Sequence, residues 1–234
     1  MERGNKKAIV LGATGLVGRL LTQKLLEDER YSEVRIFVRN PFGRTHSRLT
    51  ETRADLLALK EFKTAFKGDV VFCCVGTTKA KTPDENDYRA IDYGIPVEAS
   101  RLCKENGILT LIIVSALGAN PESQIFYNRI KGEMEAEVLR SGVPFIQLLQ
   151  PSLIGGSRQE TRKGERIAQG MMRFLEPVLI GPIKKYRMID PEDIADAMIF
   201  LADHPQNEPR IPSDQIFQLA GSYRLNMEDK AHKK

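Results

Sequence analysis

Apolar positions in this chain switch repeatedly between two periods. Short continuous runs over residues 8–11, 33–38, 69–75, 109–114 and 145–149, rich in Val, Ile, Leu and Phe, have the length of buried strands. Between them the spacing becomes helical. Leu16, Leu20, Leu21, Leu25 and Leu26 share one face, Tyr88, Ile91, Val97 and Leu102 mark a helix over 84–105, and another spans 124–140. Pro96 predicts a kink or break in the second of these helices, and Gly107 its C-cap. Arg53-Ala54-Asp55-Leu56 closes a short third strand, and Ser141-Gly142-Val143-Pro144 reads as a turn. Asp190-Pro191-Glu192-Asp193 opens a later helix, with an N-cap, a proline at the first position and acids in the first turn. Residues 216–219 read as a last short strand, and the chain after Gly221 as a fraying end. Strands alternating with helices predict an α/β fold with a doubly wound parallel sheet.

Gly12-Ala13-Thr14-Gly15-Leu16-Val17-Gly18 joins the first strand to the first helix. Glycines in such a loop allow a tight turn, an approach of phosphates to the backbone, and close packing of the helix on the sheet. The helix N-terminus, with its unpaired N–H groups and about half a positive charge, favours a pyrophosphate. A P-loop is excluded, because Arg19-Leu20 follows the last glycine where Lys and Ser or Thr are needed. The loop in this context predicts a Rossmann-type dinucleotide fold. The whole chain, 1–234, reads as one such domain, with 152–190 and 205–234 contributing a small C-terminal substrate lobe.

Arg39 follows the second strand, where this fold presents a side chain to the adenosine ribose. An acid there suits a 2′-hydroxyl; an arginine suits a 2′-phosphate, which its planar fork can grip bidentately. Arg39, with Arg44 as a second partner, therefore favours NADP(H) over NAD(H). Asp55 stands either near the adenine amine, with Leu56 beside it, or as the cap of the helix that follows. After the fourth strand Gly76 lets the backbone lie against a cofactor, and Thr77 and Thr78 offer hydroxyls to ribose or substrate, or to their own turn.

Ser115 sits at the end of the fifth strand, and Tyr127 and Lys131, four apart, share a helix face. An ammonium beside a phenol favours the phenolate and lowers the phenol's pKa from about 10. Ser115 would hold a substrate oxygen, Tyr127 exchange its proton, and the cofactor carry the hydride.

Composition narrows the partners. The net charge is +4, part of it in the tail Lys230-Ala231-His232-Lys233-Lys234, and no basic face suggests nucleic acid. No run is long enough for a membrane span. Cys73, Cys74 and Cys103 form no disulfide framework and no metal-ligand spacing, which points to reduced thiols and, by default, the cytoplasm.

Gly12 to Gly18, Val75-Gly76-Thr77-Thr78, Tyr127-x-x-x-Lys131, Pro151-Ser152-Leu153, Ser157-Arg158-Gln159-Glu160 and Gly164-Glu165 together resemble the atypical branch of the short-chain dehydrogenase/reductase superfamily. The closer resemblance is to the Tat-interacting oxidoreductase-like proteins and to nucleoside-diphosphate-sugar epimerase-like NAD(P)-binding proteins. It implies NADPH along the strand ends, contacts from Pro151 and Leu153, a Ser115/Tyr127/Lys131 site, and a bond from Lys131 to the ribose. It does not fix a substrate. Met171, Met172 and Phe174 fall in the region that forms substrate pockets in the superfamily, and Arg158, Glu160 and Arg162 would either bind an anion or pair among themselves. Three functions follow as expectations: an NADPH-dependent oxidoreductase, an NADPH-sensing binding protein with a protein partner, and an NAD-dependent sugar-nucleotide epimerase. Homodimers are common in the superfamily.

Overall fold

The computed structural model describes residues 4–155 and 187–232. Seven parallel strands form one sheet in the order β3-β2-β1-β4-β5-β6-β7. They are β1 (Lys6–Leu11), β2 (Tyr31–Val38), β3 (Leu49–Arg53), β4 (Val70–Cys73), β5 (Thr110–Val114), β6 (Phe145–Gln150) and β7 (Arg210–Pro212). Helix α1 (Leu16–Glu27) links β1 to β2; α2 (Glu85–Arg89) and α3 (Ile95–Asn106) precede β5, and α4 (Phe126–Leu139) precedes β6. Helices α5 (Pro191–Leu201) and α6 (Ser213–His232) flank β7.

Both faces of the sheet's centre are covered, so β1, β4, β5 and β6 read as mostly apolar runs, whereas the edge strands β3 and β7 do not. Successive side chains point to opposite faces. Ala8 and Val10 pack in a cluster with Leu21 and Leu25 of α1 and with Ile194 and Met198 of α5. Ile9 and Leu11 pack in the other, with Leu102 of α3 and Met134 and Val138 of α4. The sequence order reverses at β1, whose neighbours are β2 and β4. Ligands of open parallel sheets bind outside the carboxyl ends of the strands at such a switch.

Three differences from the sequence reading have local causes. Pro96 does not break its helix. A π-turn, Ala90–Gly94, precedes it, with Ile95 N–H bonded back to Ala90, so the proline falls in the first turn of α3, where its missing donor costs nothing. Residues 216–219 are helical rather than extended, because α6 runs unbroken from Ser213 and buries Ile216, Ala220 and Tyr223. The seventh strand is instead Arg210–Pro212, too short to leave a periodic signal, and it pairs with β6. The described part of 205–234 thus extends the main sheet and one of its helical layers, and α6 continues well past Gly221. The Gly107 cap is present in the left-handed conformation, and Asp190 accepts the Glu192 N–H at 2.9 Å. Ser157 to Glu165, including Arg158, Glu160 and Arg162, and Met171, Met172 and Phe174 lie outside the described residues.

Candidate active site

The loop after β1 is shaped by backbone crowding. Gly12 has φ +80°, and a Cβ there would stand 2.8 Å from the Cys74 carbonyl at the end of β4. A Cβ at Gly18 would stand 2.1 Å from the Gly12 carbonyl oxygen. These two glycines therefore let the loop fold onto itself and onto β4. Gly15 differs: it is exposed, caps α1 without a side-chain bond, and a Cβ would stand 3.2 Å from Gly12 O and 4.0 Å from Cys74 O, a close contact but a milder one than at Gly12 or Gly18. Thr14 is exposed beside it and Leu16 half-buried, while Val17 and Gly18 are buried. The first N–H groups of α1, which have no intrahelical acceptor, open at the carboxyl edge of the sheet. That cradle fits a diphosphate.

Arg39 lies one residue past β2, exposed, with no carboxylate partner among the described residues. Asp55 accepts the Leu57 N–H at 3.1 Å and caps a 3₁₀ helix, Leu56–Phe62, so the capping reading of Asp55 describes the structure. Thr77 and Thr82 share a hydroxyl bond of 2.8 Å, and the Thr78 carbonyl accepts from Lys81 and Thr82. Both threonines therefore build their turn. Past β6, the Pro151 carbonyl accepts from Leu117 at 2.9 Å and Leu153 is exposed. The Ser152 hydroxyl donates to the Arg187 carbonyl.

The helix face carrying Tyr127 and Lys131 meets the sheet beside this loop. Tyr127 is 40% exposed. Lys131 is 3% exposed, and its Nζ pairs with Asp92, itself 1% exposed, at 2.9 Å. Asp92 sits in the π-turn, and its other oxygen accepts the Thr77 N–H at 2.8 Å. One carboxylate thus fixes both the lysine of α4 and the loop after β4. Burial opposes the charge on Lys131, but Asp92 and then Tyr127 outweigh it and hold its pKa above the ordinary 10.5. Burial also pushes the nearby Cys73 thiol up to about 11. A Cβ at Gly76 would stand 3.5 Å from the Asp92 carboxylate and 3.9 Å from Lys131 Nζ. Glycine at 76 therefore lets a ligand lying over it reach the ammonium, which keeps further donors after bonding Asp92.

Ser115 requires a correction. It is 3% exposed, and its hydroxyl donates to Glu135 at 2.5 Å. Glu135, 1% exposed, also accepts from Gln150 at 2.9 Å and from Arg210 Nε at 2.8 Å. Its hydroxyl proton is thus directed at Glu135 in this structure and not toward the position of a substrate carbonyl. It belongs to a polar network, buried at Ser115 and Glu135 and reaching solvent at Arg210, that joins the ends of β5 and β6, and β7, to α4.

Asp92 and Glu135 escaped the sequence reading. Glu135 is four residues past Lys131 and eight past Tyr127, so the stripe was present in the spacing. Asp92 gave a weaker sign, an acid set among the apolar positions Tyr88, Ile91 and Ile95.

Fold and site together define a dinucleotide-binding α/β protein. Residues 12–205 match the model of a family described as NAD(P)H-binding, and the chain belongs to that family. It is 29% identical over 210 residues to the mitochondrial protein FMP52 of Debaryomyces hansenii, covering 85% of this chain and 88% of that protein. It is 30% identical over 169 residues to rat (Rattus norvegicus) protein HTATIP2, covering 70% and 69%. Two solved structures share the fold. One is a UDP-N-acetylglucosamine 4-epimerase from Methanobrevibacter ruminantium M1 (TM-score 0.64, 16% identity, 89% of this chain and 76% of that one). The other is a short-chain dehydrogenase/reductase superfamily protein from Agrobacterium tumefaciens with bound NAD (TM-score 0.63, 14% identity, 97% and 100%). The FMP52 relatives are named mitochondrial, which overturns the cytoplasmic default. The free thiols of Cys73, Cys74 and Cys103 do not identify the compartment. Among the described residues no helix is long and apolar enough to cross a membrane.

Proposed function

We propose that this protein is an NADPH-dependent oxidoreductase of the atypical short-chain dehydrogenase type, acting on the carbonyl or alcohol of a small molecule. One observation carries the reading: an exposed tyrosine, Tyr127, stands one helical turn from a buried, ion-paired lysine whose Nζ would lie 3.9 Å from a Cβ at Gly76 after β4. The family description supports NAD(P)H, and Arg39 favours the phosphorylated form. The N–H groups of α1 hold the diphosphate, Arg39 the 2′-phosphate, and the backbone at Gly76 the neighbouring ribose, within reach of Lys131. NADPH, when bound, supplies the hydride that reduces a carbonyl carbon. Tyr127 donates its phenolic proton to the carbonyl oxygen, and the phenolate left behind is stabilised by the Lys131 ammonium. Asp92 keeps that ammonium charged and in place.

A second reading, a nucleotide-sensing binding protein with little turnover, is favoured by Ser115, whose proton is directed at Glu135 and not toward a substrate. A screen of carbonyl compounds under NADPH consumption separates the two. The oxidoreductase reading expects turnover that falls about 100- to 10,000-fold in Tyr127→Phe, the usual range for a general acid. NADPH binding with no consumption across aldehydes, ketones and keto-sugars, and a Tyr127→Phe variant equal to wild type, would favour the sensor.

A further inference from the structure

Arg39 does not stand alone at the adenosine end. In the parallel register of β2 and β3, Val38 is opposite Arg53, so the two strands end side by side. The Ala54 N–H closes the ladder onto the Val38 carbonyl at 3.0 Å. From there the exposed Arg53 donates through Nη1 to the Arg39 carbonyl at 3.0 Å, which ties its guanidinium to the backbone of Arg39. The Arg19 guanidinium of α1 lies 5.3 Å from the centre of the Phe42 ring. Phe42 is buried, and its N–H is held by Glu51 at 3.0 Å. None of Arg19, Arg39 and Arg53 pairs with a carboxylate among the described residues. Elsewhere on the surface guanidinium groups do find carboxylates, as Arg35 does with Glu33 and Arg224 with Asp193.

Clustered guanidinium groups left without acids are a site for an anion. We infer that Arg53 is a second specificity-determining residue for the 2′-phosphate, closing with Arg39 a two-guanidinium clamp. This inference rests on the NADPH reading above. Arg53 has donors for it: a guanidinium carries five N–H groups, and the Arg39 carbonyl takes one. That single backbone bond also lowers the conformational freedom Arg53 would lose on gripping phosphate. Arg44, exposed on the loop beyond Phe42, is the comparison residue for the pair.

The test uses fragments without nicotinamide, so that it reads the adenosine end alone. Calorimetric titrations with 2′,5′-ADP and with 5′-ADP are made on the full chain and on Arg53→Gln, Arg53→Lys, Arg39→Gln and Arg44→Gln, each first shown to melt like wild type. Wild type binds 2′,5′-ADP more tightly. Arg53→Gln loses about 10- to 100-fold of that preference, as removal of a charge-assisted bond requires, and leaves 5′-ADP affinity unchanged. Arg53→Lys recovers only part of it, and Arg44→Gln keeps it. A wild type that binds both fragments equally would overturn the NADPH reading itself. A wild type that discriminates, with Arg53→Gln discriminating equally well, would overturn only the role given to Arg53.

Discussion

Substituting Asp92 by Asn tests the centre of the site with little change of shape. The amide oxygen can still accept the Thr77 N–H, but the charge facing Lys131 is gone. Both side chains are almost wholly buried and 2.9 Å apart, so the lysine is left as an unpaired buried cation. Breaking a buried ion pair by removing one partner costs about 3–5 kcal/mol. For a domain of this size 1 kcal/mol moves the melting temperature by about 2–4 °C, so a fall of about 6–20 °C is expected. Adding Lys131→Met removes the stranded charge and should restore part of the loss, giving a coupling of about 1–3 kcal/mol in a double-mutant cycle. Thermal melts at neutral pH and low salt measure all four proteins. The reasoning is refuted if Asp92→Asn melts within 1–2 °C of wild type, or if the two substitutions are strictly additive.

Other outcomes follow from the same geometry. Gly18→Ala places a methyl 2.1 Å from the Gly12 oxygen and should cost about 1–3 kcal/mol in urea unfolding, as overpacking does. Gly15→Ala brings a methyl to 3.2 Å from the same oxygen, so it should cost less stability than Gly18→Ala and lower nucleotide affinity in calorimetry. Burial raises the Cys73 thiol from 9.0 to about 11, so the folded state holds its proton longer than the unfolded one. The Cys73 contribution to stability is therefore complete below about pH 9 and is lost at about 1.4 kcal/mol per unit from there toward pH 11, read as the difference between wild type and Cys73→Ala in urea titrations. Burial raises Cys74 and Cys103 as well, adding losses of the same sign in both proteins. Ser115→Ala removes a donor from Glu135 but no donor from the substrate, so kcat should change far less than in Tyr127→Phe.

Periodicity carried the fold. β1, β4, β5 and β6 are mostly apolar runs and β2 becomes one in its second half, and α1, α3 and α4 show their buried faces in the spacing of Leu, Ile, Met and Val. The edge strand β3, Leu-Thr-Glu-Thr-Arg, carries no such run. What the pattern could not carry was short or held by distant partners. Arg210–Pro212 is extended only because β6 offers it an edge. The π-turn depends on a hydrogen bond one residue longer than the helical one, which leaves almost no mark on side-chain spacing. In the site, Tyr127 and Lys131 were legible from their separation of four residues and the glycine loop from its position between strand and helix. Ser115 was legible only as a serine at a strand end; that its proton goes to Glu135 depends on a helix 20 residues away. Asp92 and Arg53 became visible only when the carboxyl ends of the strands were set side by side.

The most direct measurement is a calorimetric titration of the purified wild-type chain with NADPH and with NADH. One binding site is expected, with NADPH tighter by at least about tenfold, the effect of one charge-assisted bond to the 2′-phosphate. Equal affinity for the two coenzymes, or heat from neither, would contradict it.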